Sequence, residues 1–525
     1  MRNHFALFLL LLAASISVST RTDLYFNSSL PAPQQHFKFL FLLPTVLPSH
    51  TWAVAPLAVA LAYRGHEVHM LCENPDIYQL PNVTCIDLGF KFDEPEQQPR
   101  YYEGVSVLTE IKKMFRAYNN VSYQLLTSPR VLNLYDNRKK FDFIVAEDLT
   151  LIVLYPLLHE MPYALYSTIG LNPFQSAVAG NVQNPLTVAD GWSYNFPDSF
   201  SFLDRIKNLM TNCILYIFAW SAFHSAEITA TVHLPEAPSM TEIERNVSIH
   251  FVSTILALDG PMPLLPNQIP VGGIILRPLP DLPPELAEFL RGEEPVVYVS
   301  FGLSTLKDDS IPRQLKDIMF SVFAKLPYKV IVKISNQKTR RSSNVLYVDS
   351  VPQQSILAHP NVKVFVCHFG LSGTTEALQN GVPIVGLPAI YDQLRTAKLL
   401  VKHGVAIQLS WATLEENVLK DAIEEVMHNP SYRRKMGDLS RIFRDQLVSP
   451  LDTAVYWTEY AARHQGAPHL QSPAKSLSFI KLFGLDILAL VIFGSLISYM
   501  IMKKTYSTLG MCTGRNRKLS KQKSC

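Results

Sequence analysis

Short apolar runs recur along the chain, each closed by a glycine, proline or small polar residue and most followed by a longer segment with helical spacing. Residues 37–43 (FKFLFLL) are the first such run. Near-continuous apolar runs of this kind predict strands buried on both faces. A turn over 44–49 and His50 follow, then a helix to Tyr63, a stop at Gly65 and a second strand over 66–71. This is a β-α-β unit, which requires parallel strands and a right-handed crossover. The pattern returns at 141–146, 295–301, 328–334, 364–367 and 384–388, predicting an α/β chain. Residues 414–428 read as an amphipathic helix, and 433–462 continue helical. The run 214–223 (ILYIFAWSAF) is too short to span a bilayer and is read either as a buried helix or as one that dips into a membrane or lines a pocket.

The chain is organised around 364–393. A strand ends at Cys367, and a small turn, His368 to Thr374, leads into a helix that starts at Thr374. Gly381 and Pro383 stop that helix, a further strand follows, and Asp392 and Gln393 sit just past its end. A helix N-terminus presents unsatisfied N–H groups and a positive dipole end, a ready site for a diphosphate. His368, Gly370, Ser372, Gly373, Glu376, Ala377, Gly381, Pro383, Pro388, Asp392 and Gln393 occur in the order and spacing of a known signature. The stretch resembles that of the UDP-glycosyltransferase family.

The resemblance runs through nearly the whole chain. It implies two facing Rossmann-like β/α/β domains, the GT-B arrangement, plus a C-terminal transmembrane helix. The domains expected are a signal peptide at 1–20, an acceptor-binding domain at 21–260, a linker at 261–290 and a UDP-sugar-binding domain at 291–445. Helices packing back and a juxtamembrane segment follow at 446–482, then a span at 483–502 and a cytosolic tail at 503–525. In the family the histidine matching His50 is the general base, a task that imidazole suits near neutral pH. The run FDFIVAED resembles a family motif that ends in the carboxylate orienting that histidine. The match selects Glu147, and a shift of one residue selects Asp148. His66, in an RGHEV run, reads as structural. The resemblance assigns the diphosphate to His368 and to backbone N–H groups from Ser372 to Thr374, the ribose hydroxyls to Glu376 and the sugar hydroxyls to Asp392 and Gln393. Gly302, Ser304, Gln353 and Gly370 complete the donor site. No metal and no cofactor are expected beyond the UDP-sugar as co-substrate.

Three positions depart from the family pattern: Leu303 where a serine is common, with Ser304 one residue later; Ser350 in place of a tryptophan that stacks on uracil; and Phe369 where animal members carry glycine. Stacking of this kind contributes about 0.5–1.5 kcal/mol. The departures motivate a competing class, a membrane-anchored binding or partner protein on the same fold without turnover.

Composition narrows the partners. Hydrophobic content is 48% and the formal net charge is +3, with no basic block interleaved with aromatics outside the tail, so nucleic acid is not an expected partner. The partners expected are a UDP-sugar donor, a small lipophilic hydroxyl acceptor, a membrane and, as an open option, a second copy of the chain. Arg2 and the apolar run 5–14 make a secretory signal. Sequons at Asn27, Asn82, Asn120 and Asn246 agree with a lumenal body. The six cysteines have no metal-ligand spacing. Cys72 and Cys85 are read either as a disulfide of an oxidising lumen or as free thiols, and Cys367 as a buried free thiol. The apolar run 483–502 precedes Lys503, Lys504 and a basic tail, which predicts a single-pass span with a cytosolic C-terminus. The terminal KQKSC matches a K-x-K-x-x retrieval pattern, so the expected location is the endoplasmic reticulum membrane.

Overall fold

The structure is a computed structural model. It describes residues 28–43, 48–72, 80–89, 119–148, 154–171, 173–188, 201–302, 311–334, 339–349, 351–389 and 392–521. The expected signal peptide, Asn27, Leu303, Ser304, Ser350 and the terminal retrieval pattern past Lys521 lie outside those residues.

Strands β1 (Lys38–Leu42), β2 (Glu67–Cys72), β3 (Val83–Asp87), β4 (Phe143–Glu147), β5 (Tyr163–Ser167), β6 (Ile249–Val252) and β7 (Gln268–Pro270) form one sheet. Its order is β3-β2-β1-β4-β5-β6-β7, and the pairings are parallel. The all-apolar core of β1 is explained by burial on both faces. Leu40 and Leu42 enter one hydrophobic cluster, and Phe39 and Phe41 enter the other. Around this sheet run α1 (Pro48–Tyr63), α2 (Pro173–Val178) and α3 (Phe202–His233), and the short α4 (Leu256–Asp259) follows β6. Cys72 and Cys85, on neighbouring strands with Cα atoms 5.9 Å apart, are joined as a disulfide. The proline-rich stretch after Gly260 is not linker throughout, because β7 lies within it as the edge strand of the first sheet.

The second sheet contains β8 (Val296–Ser300), β9 (Lys329–Lys333), β10 (Arg340–Ser342), β11 (Val345–Val348), β12 (Val362–Cys367), β13 (Ile384–Gly386) and β14 (Ala406–Gln408). Its order is β10-β11-β9-β8-β12-β13-β14, with only the edge hairpin β10–β11 antiparallel. Its helices include α5 (Gln353–Ala358), α6 (Leu371–Gln379), α7 (Asp392–Lys402), α8 (Glu416–His428) and α9 (Pro430–Arg444). The continuous helix expected over 433–462 is broken. After α9 the chain turns, Ser449 accepts a hydrogen bond from the N–H of Asp452, and α10 (Pro450–Arg463) begins with a proline at its first position.

Helix α10 packs on α1 and β6 of the first domain. Its Glu459 meets Arg64 Nε at 2.5 Å and His66 Nε2 at 3.0 Å. The other ring nitrogen of His66 accepts the N–H of Phe37. His66 is therefore a structural residue, with both nitrogens used inside the fold.

Two apolar segments differ from expectation in extent. The run 214–223 is the middle of the 32-residue α3. One side of that helix is buried through Phe223, Ala226 and Ala230, while Ile214, Ile217 and Trp220 are exposed on the other, so the buried-helix reading holds for one face only. The C-terminal apolar helix α11 (Leu485–Lys521) starts two residues later than the expected span. Gly484, in the left-handed region at φ 62°, separates it from the short helical turn Phe479–Leu482. Its segment Leu485–Tyr506 is long and apolar enough to cross a membrane and is unburied by the rest of the chain.

Candidate active site

In open parallel sheets ligands gather beyond the C-terminal strand ends, where strand order reverses. The first sheet reverses between β1 and β4, and the second between β8 and β12. His50 follows β1 and Glu147 ends β4. Gly302 follows β8 and His368 follows β12. The topology thus collects the candidate residues of each half at one crevice.

In the first half, His50 lies in the opening turn of α1. Its Nδ1 is 2.8 Å from Oε1 of Glu147, a carboxylate with no solvent exposure. Thr168, one residue past β5, completes a triangle. Its hydroxyl donates to Glu147 Oε1 at 2.9 Å and lies 2.8 Å from His50 Nδ1. Burial alone would push the His50 pKa down. The Glu147 charge and hydrogen bond, with the Asp392 charge added, outweigh it and raise the pKa above the ordinary value. Burial would raise Glu147, but the His50 charge and the hydrogen bonds from His50, Asp148 and Thr168 hold it below the carboxylate range. Of the two carboxylates left open by the sequence, Glu147 is the one that meets the imidazole. Asp148 is buried beside it and bears on Glu147. An imidazole held this way at Nδ1 is fixed in one tautomer, with Nε2 as the proton acceptor.

In the second half, α6 begins at Leu371, earlier than the expected Thr374, with Gly370 as N-cap. Thr374 N–H is consequently spent inside the helix, on Gly370 C=O at 2.9 Å. The N–H groups left for a ligand are those of Gly370, Leu371, Ser372 and Gly373, by helix geometry. Beside them His368 has its Nδ1 buried with no hydrogen-bond partner among the described residues. Burial pushes the His368 pKa down to about 4, so the ring is neutral at physiological pH. Two glycines make room for it. A Cβ on Gly370 would stand 2.5 Å from His368 Nε2, and one on Gly302 would stand 3.0 Å from its Cε1.

Gln353 donates to Glu376 and accepts from Tyr298 OH at 3.0 Å, so it fixes the Glu376 carboxylate beside the crevice. Its neighbours Gln354 and Ser355 bond the linker at Arg277 and Pro280. Asp392 and Gln393, expected just past the strand, open α7. Gln393 Oε1 accepts Ala389 N–H at 2.9 Å. Burial raises the Asp392 pKa to about 6, against the pull of the His50 charge. His50 and Asp392 each bear on the other's charge, so a residue of each half lies within electrostatic reach of the other. Arg395 of α7 pairs with Asp259 of α4 at 2.7 Å and ties this helix to the connection between the halves.

Phe369 does not crowd the crevice. It adopts the left-handed conformation, φ 61°, at the position where glycine is usual in the family it resembles. Its ring is fully buried against Gly386, where a Cβ would stand 2.4 Å from its Cε2. Of the sequon asparagines, Asn82, Asn120 and Asn246 are exposed. Sequence reasoning missed Thr168. The only signal for it is a polar pair, Ser167-Thr168, closing an apolar strand next to the one that bears Glu147.

Residues 91–522 match the profile of the family described as UDP-glucoronosyl and UDP-glucosyl transferase. The chain is 31% identical over 458 residues to UDP-glucosyltransferase 2 of Dactylopius coccus, covering 83% of this chain and 86% of that one. It is 30% identical over 480 residues to 2-hydroxyacylsphingosine 1-beta-galactosyltransferase of Mus musculus, covering 89% and 87%. Among solved structures it is similar to spinosyn forosaminyltransferase SpnP, with a TM-score of 0.54 at 20% identity, covering 82% of this chain and 100% of that one. That likeness carries the fold of two facing parallel-sheet domains. The profile match and the near full-length relatives carry the family: this chain belongs to the UDP-glucuronosyl and UDP-glucosyl transferases.

Proposed function

We propose that the protein is an inverting UDP-glycosyltransferase that moves a hexosyl or glucuronosyl group from a UDP-sugar to a hydroxyl of a small lipophilic acceptor. The observation that carries this reading is the His50–Glu147 pair, with Asp392 of the other half within electrostatic reach of the imidazole. In the reaction, His50 Nε2 takes the acceptor's hydroxyl proton as the oxygen attacks the anomeric carbon. The new C–O bond forms on the face opposite the diphosphate. The bond from the anomeric carbon to the β-phosphate oxygen breaks, and UDP leaves with the electron pair. Glu147 stabilises the imidazolium that results, and Thr168 positions Glu147. A general base of this kind accounts for about 10²–10⁴-fold in rate.

The donor is held by the N-terminus of α6 and by His368, which meet the diphosphate with N–H groups and a neutral ring. Glu376 accepts the ribose hydroxyls, and Asp392 with the Gln393 amide engages the sugar. We assign the body to the lumen of the endoplasmic reticulum, anchored by α11, with Asn82, Asn120 and Asn246 as glycan acceptors. Support for the lumenal assignment is the Cys72–Cys85 disulfide, which belongs to an oxidising compartment.

The test is UDP release from membranes that contain the full chain, across a panel of UDP-sugars and a mixed set of phenols, steroids and fatty alcohols, beside His50→Ala. Release with one sugar, abolished by the substitution, is the expected outcome and names the donor. UDP release that survives His50→Ala would remove His50 from the reaction.

A further inference from the structure

The outward face of α3 is mostly apolar where a water-facing helix would be polar, with Ser221 and His224 exposed among larger apolar side chains. Leu203, Met210, Ile214, Ile217, Trp220 and Ile228 are each more than half exposed. Their spacings of three, four, seven and eight residues place them on one stripe of the helix, opposite the buried side that carries Phe223, Ala226 and Ala230. Between Lys207 and Glu227 the helix has no Asp, Glu, Lys or Arg. That stretch is about 28 Å long at 1.5 Å per residue. A stripe of this length is larger than the scattered apolar residues of an ordinary surface.

What covers it is indicated by its neighbour. The segment leading into α11 packs on α2 and α3. Phe479 stacks on Phe174 with ring centroids 5.5 Å apart, and Phe483 meets Tyr216 of α3 edge-on, also at 5.5 Å. Helix α11 starts at Leu485, two residues beyond Phe483. Ile480 and Phe483 are themselves exposed and continue the apolar surface from α3 to α11. The point where α11 enters its hydrophobic environment is therefore fixed to the middle of α3.

We propose that the outward stripe of α3 lies in the surface of the same bilayer that α11 crosses, as an interfacial helix with its long axis in the membrane plane. One face of α3 is committed to the protein core, so it rests on the membrane and does not span it. Trp220 stands on the stripe, a side chain suited to the lipid–water boundary. Phe174, which α3 covers, belongs to α2, the helix that follows Thr168 in the chain. The lipid-facing helix thus packs directly on the element next to the His50 site. The proposal rests on α11 being a membrane span, and its test separates the two.

The full-length chain is reconstituted into phosphatidylcholine vesicles with acyl-brominated lipid, beside Trp220→Phe. The chain has five tryptophans, and α11 contains none, so the span itself gives no quenching signal. The expected result is tryptophan quenching by brominated lipid that is lost in Trp220→Phe. Ile217→Glu, an exposed change on the stripe that retains Trp220, gives the same loss while the chain stays in the vesicle fraction. Equal quenching in the parent and Trp220→Phe overturns the proposal. So does Trp220 shielded from both brominated lipid and aqueous iodide, which would place a second copy of the chain on the stripe. A chain that does not enter the vesicles at all removes the anchor reading and this inference with it.

Discussion

The two crevices share one topology and differ in electrostatics. Each lies at a strand-order reversal, and each presents a histidine just past a central strand. In the first, the histidine is set against a buried carboxylate, and its pKa is raised. In the second, no carboxylate among the described residues opposes burial, and the histidine pKa falls to about 4. The first arrangement suits a group that gains and loses a proton during turnover. The second suits a neutral ring that holds an anion without changing charge. What decides between them is the residue on the neighbouring strand, because the same backbone geometry serves both.

The hardest break of this comparison is His50→Ala. It should lower kcat by roughly 10²–10⁴-fold and leave UDP affinity unchanged, read by UDP release and by calorimetric titration with UDP. An affinity loss as large as the rate loss would mean that the two crevices do not divide the work. Glu147→Gln should follow, lowering kcat by up to about 10⁴-fold through loss of tautomer and orientation control. The pH profile separates this from simple damage. Because His50 is raised, its base form, and with it kcat/KM, is lost as pH falls through that raised value. With Glu147 neutral, burial dominates, so the acid limb of kcat/KM should move to lower pH. A limb that stays in place would assign it to another group.

The sequence made the two crevices visible to different degrees. The β1-α1-β2 unit and the stretch around β12 were legible because near-continuous apolar strands, glycine stops and helix periodicity all pointed the same way. The choice between Glu147 and Asp148 was not legible. β4 is buried on both faces, so alternation gives no parity by which to tell the two apart. Thr168 was invisible because it joins His50 only through the β4–β5 pairing. The start of α6 was misplaced by three residues. Gly373 reads as a turn residue locally, yet it occupies the first turn of a helix whose N-cap is Gly370. The outward stripe of α3 was hidden because both faces of its central run are apolar. Periodicity cannot show which face lacks a partner.

The second crevice depends on packing, which Gly386→Ala should expose. The added Cβ would meet the Phe369 ring at 2.4 Å and the carbonyl of Cys367 at 2.8 Å. Overpacking of this kind costs about 1–3 kcal/mol and should lower Tm. Phe369 is adjacent to His368, so UDP-glucose affinity should fall with it. Phe369→Gly in the same chain removes the ring and should recover part of the loss, a coupling that a double-mutant cycle would measure. Full additivity would show that the two positions do not press on one another. Thr168→Val is gentler. It removes one hydrogen bond to Glu147, worth about 1 kcal/mol, and should reduce kcat by roughly fivefold without altering UDP affinity.

The smallest effect sharpens the comparison most, because it is an expected flat line. With its pKa near 4, His368 stays neutral from alkaline pH down to the mildly acidic range. If a neutral ring and backbone N–H groups hold the diphosphate, UDP-glucose affinity in Asp392→Asn, which removes a donor-site carboxylate that titrates near pH 6, should be nearly constant between about pH 8 and pH 5.5. UDP-glucose is the right probe, since its diphosphate is esterified at both ends and does not itself titrate there. The sign of any deviation is informative. A bound anion favours the protonated ring, so a raised His368 pKa would appear as tighter binding on acidification from neutral pH. That outcome would make the second crevice a charge-pairing site like the first. The parent chain should bind more loosely over the same range, because Asp392, with a pKa of about 6, loses its charge as pH falls through that value. Asp392→Asn thus isolates His368 as the neutral member of the pair of histidines.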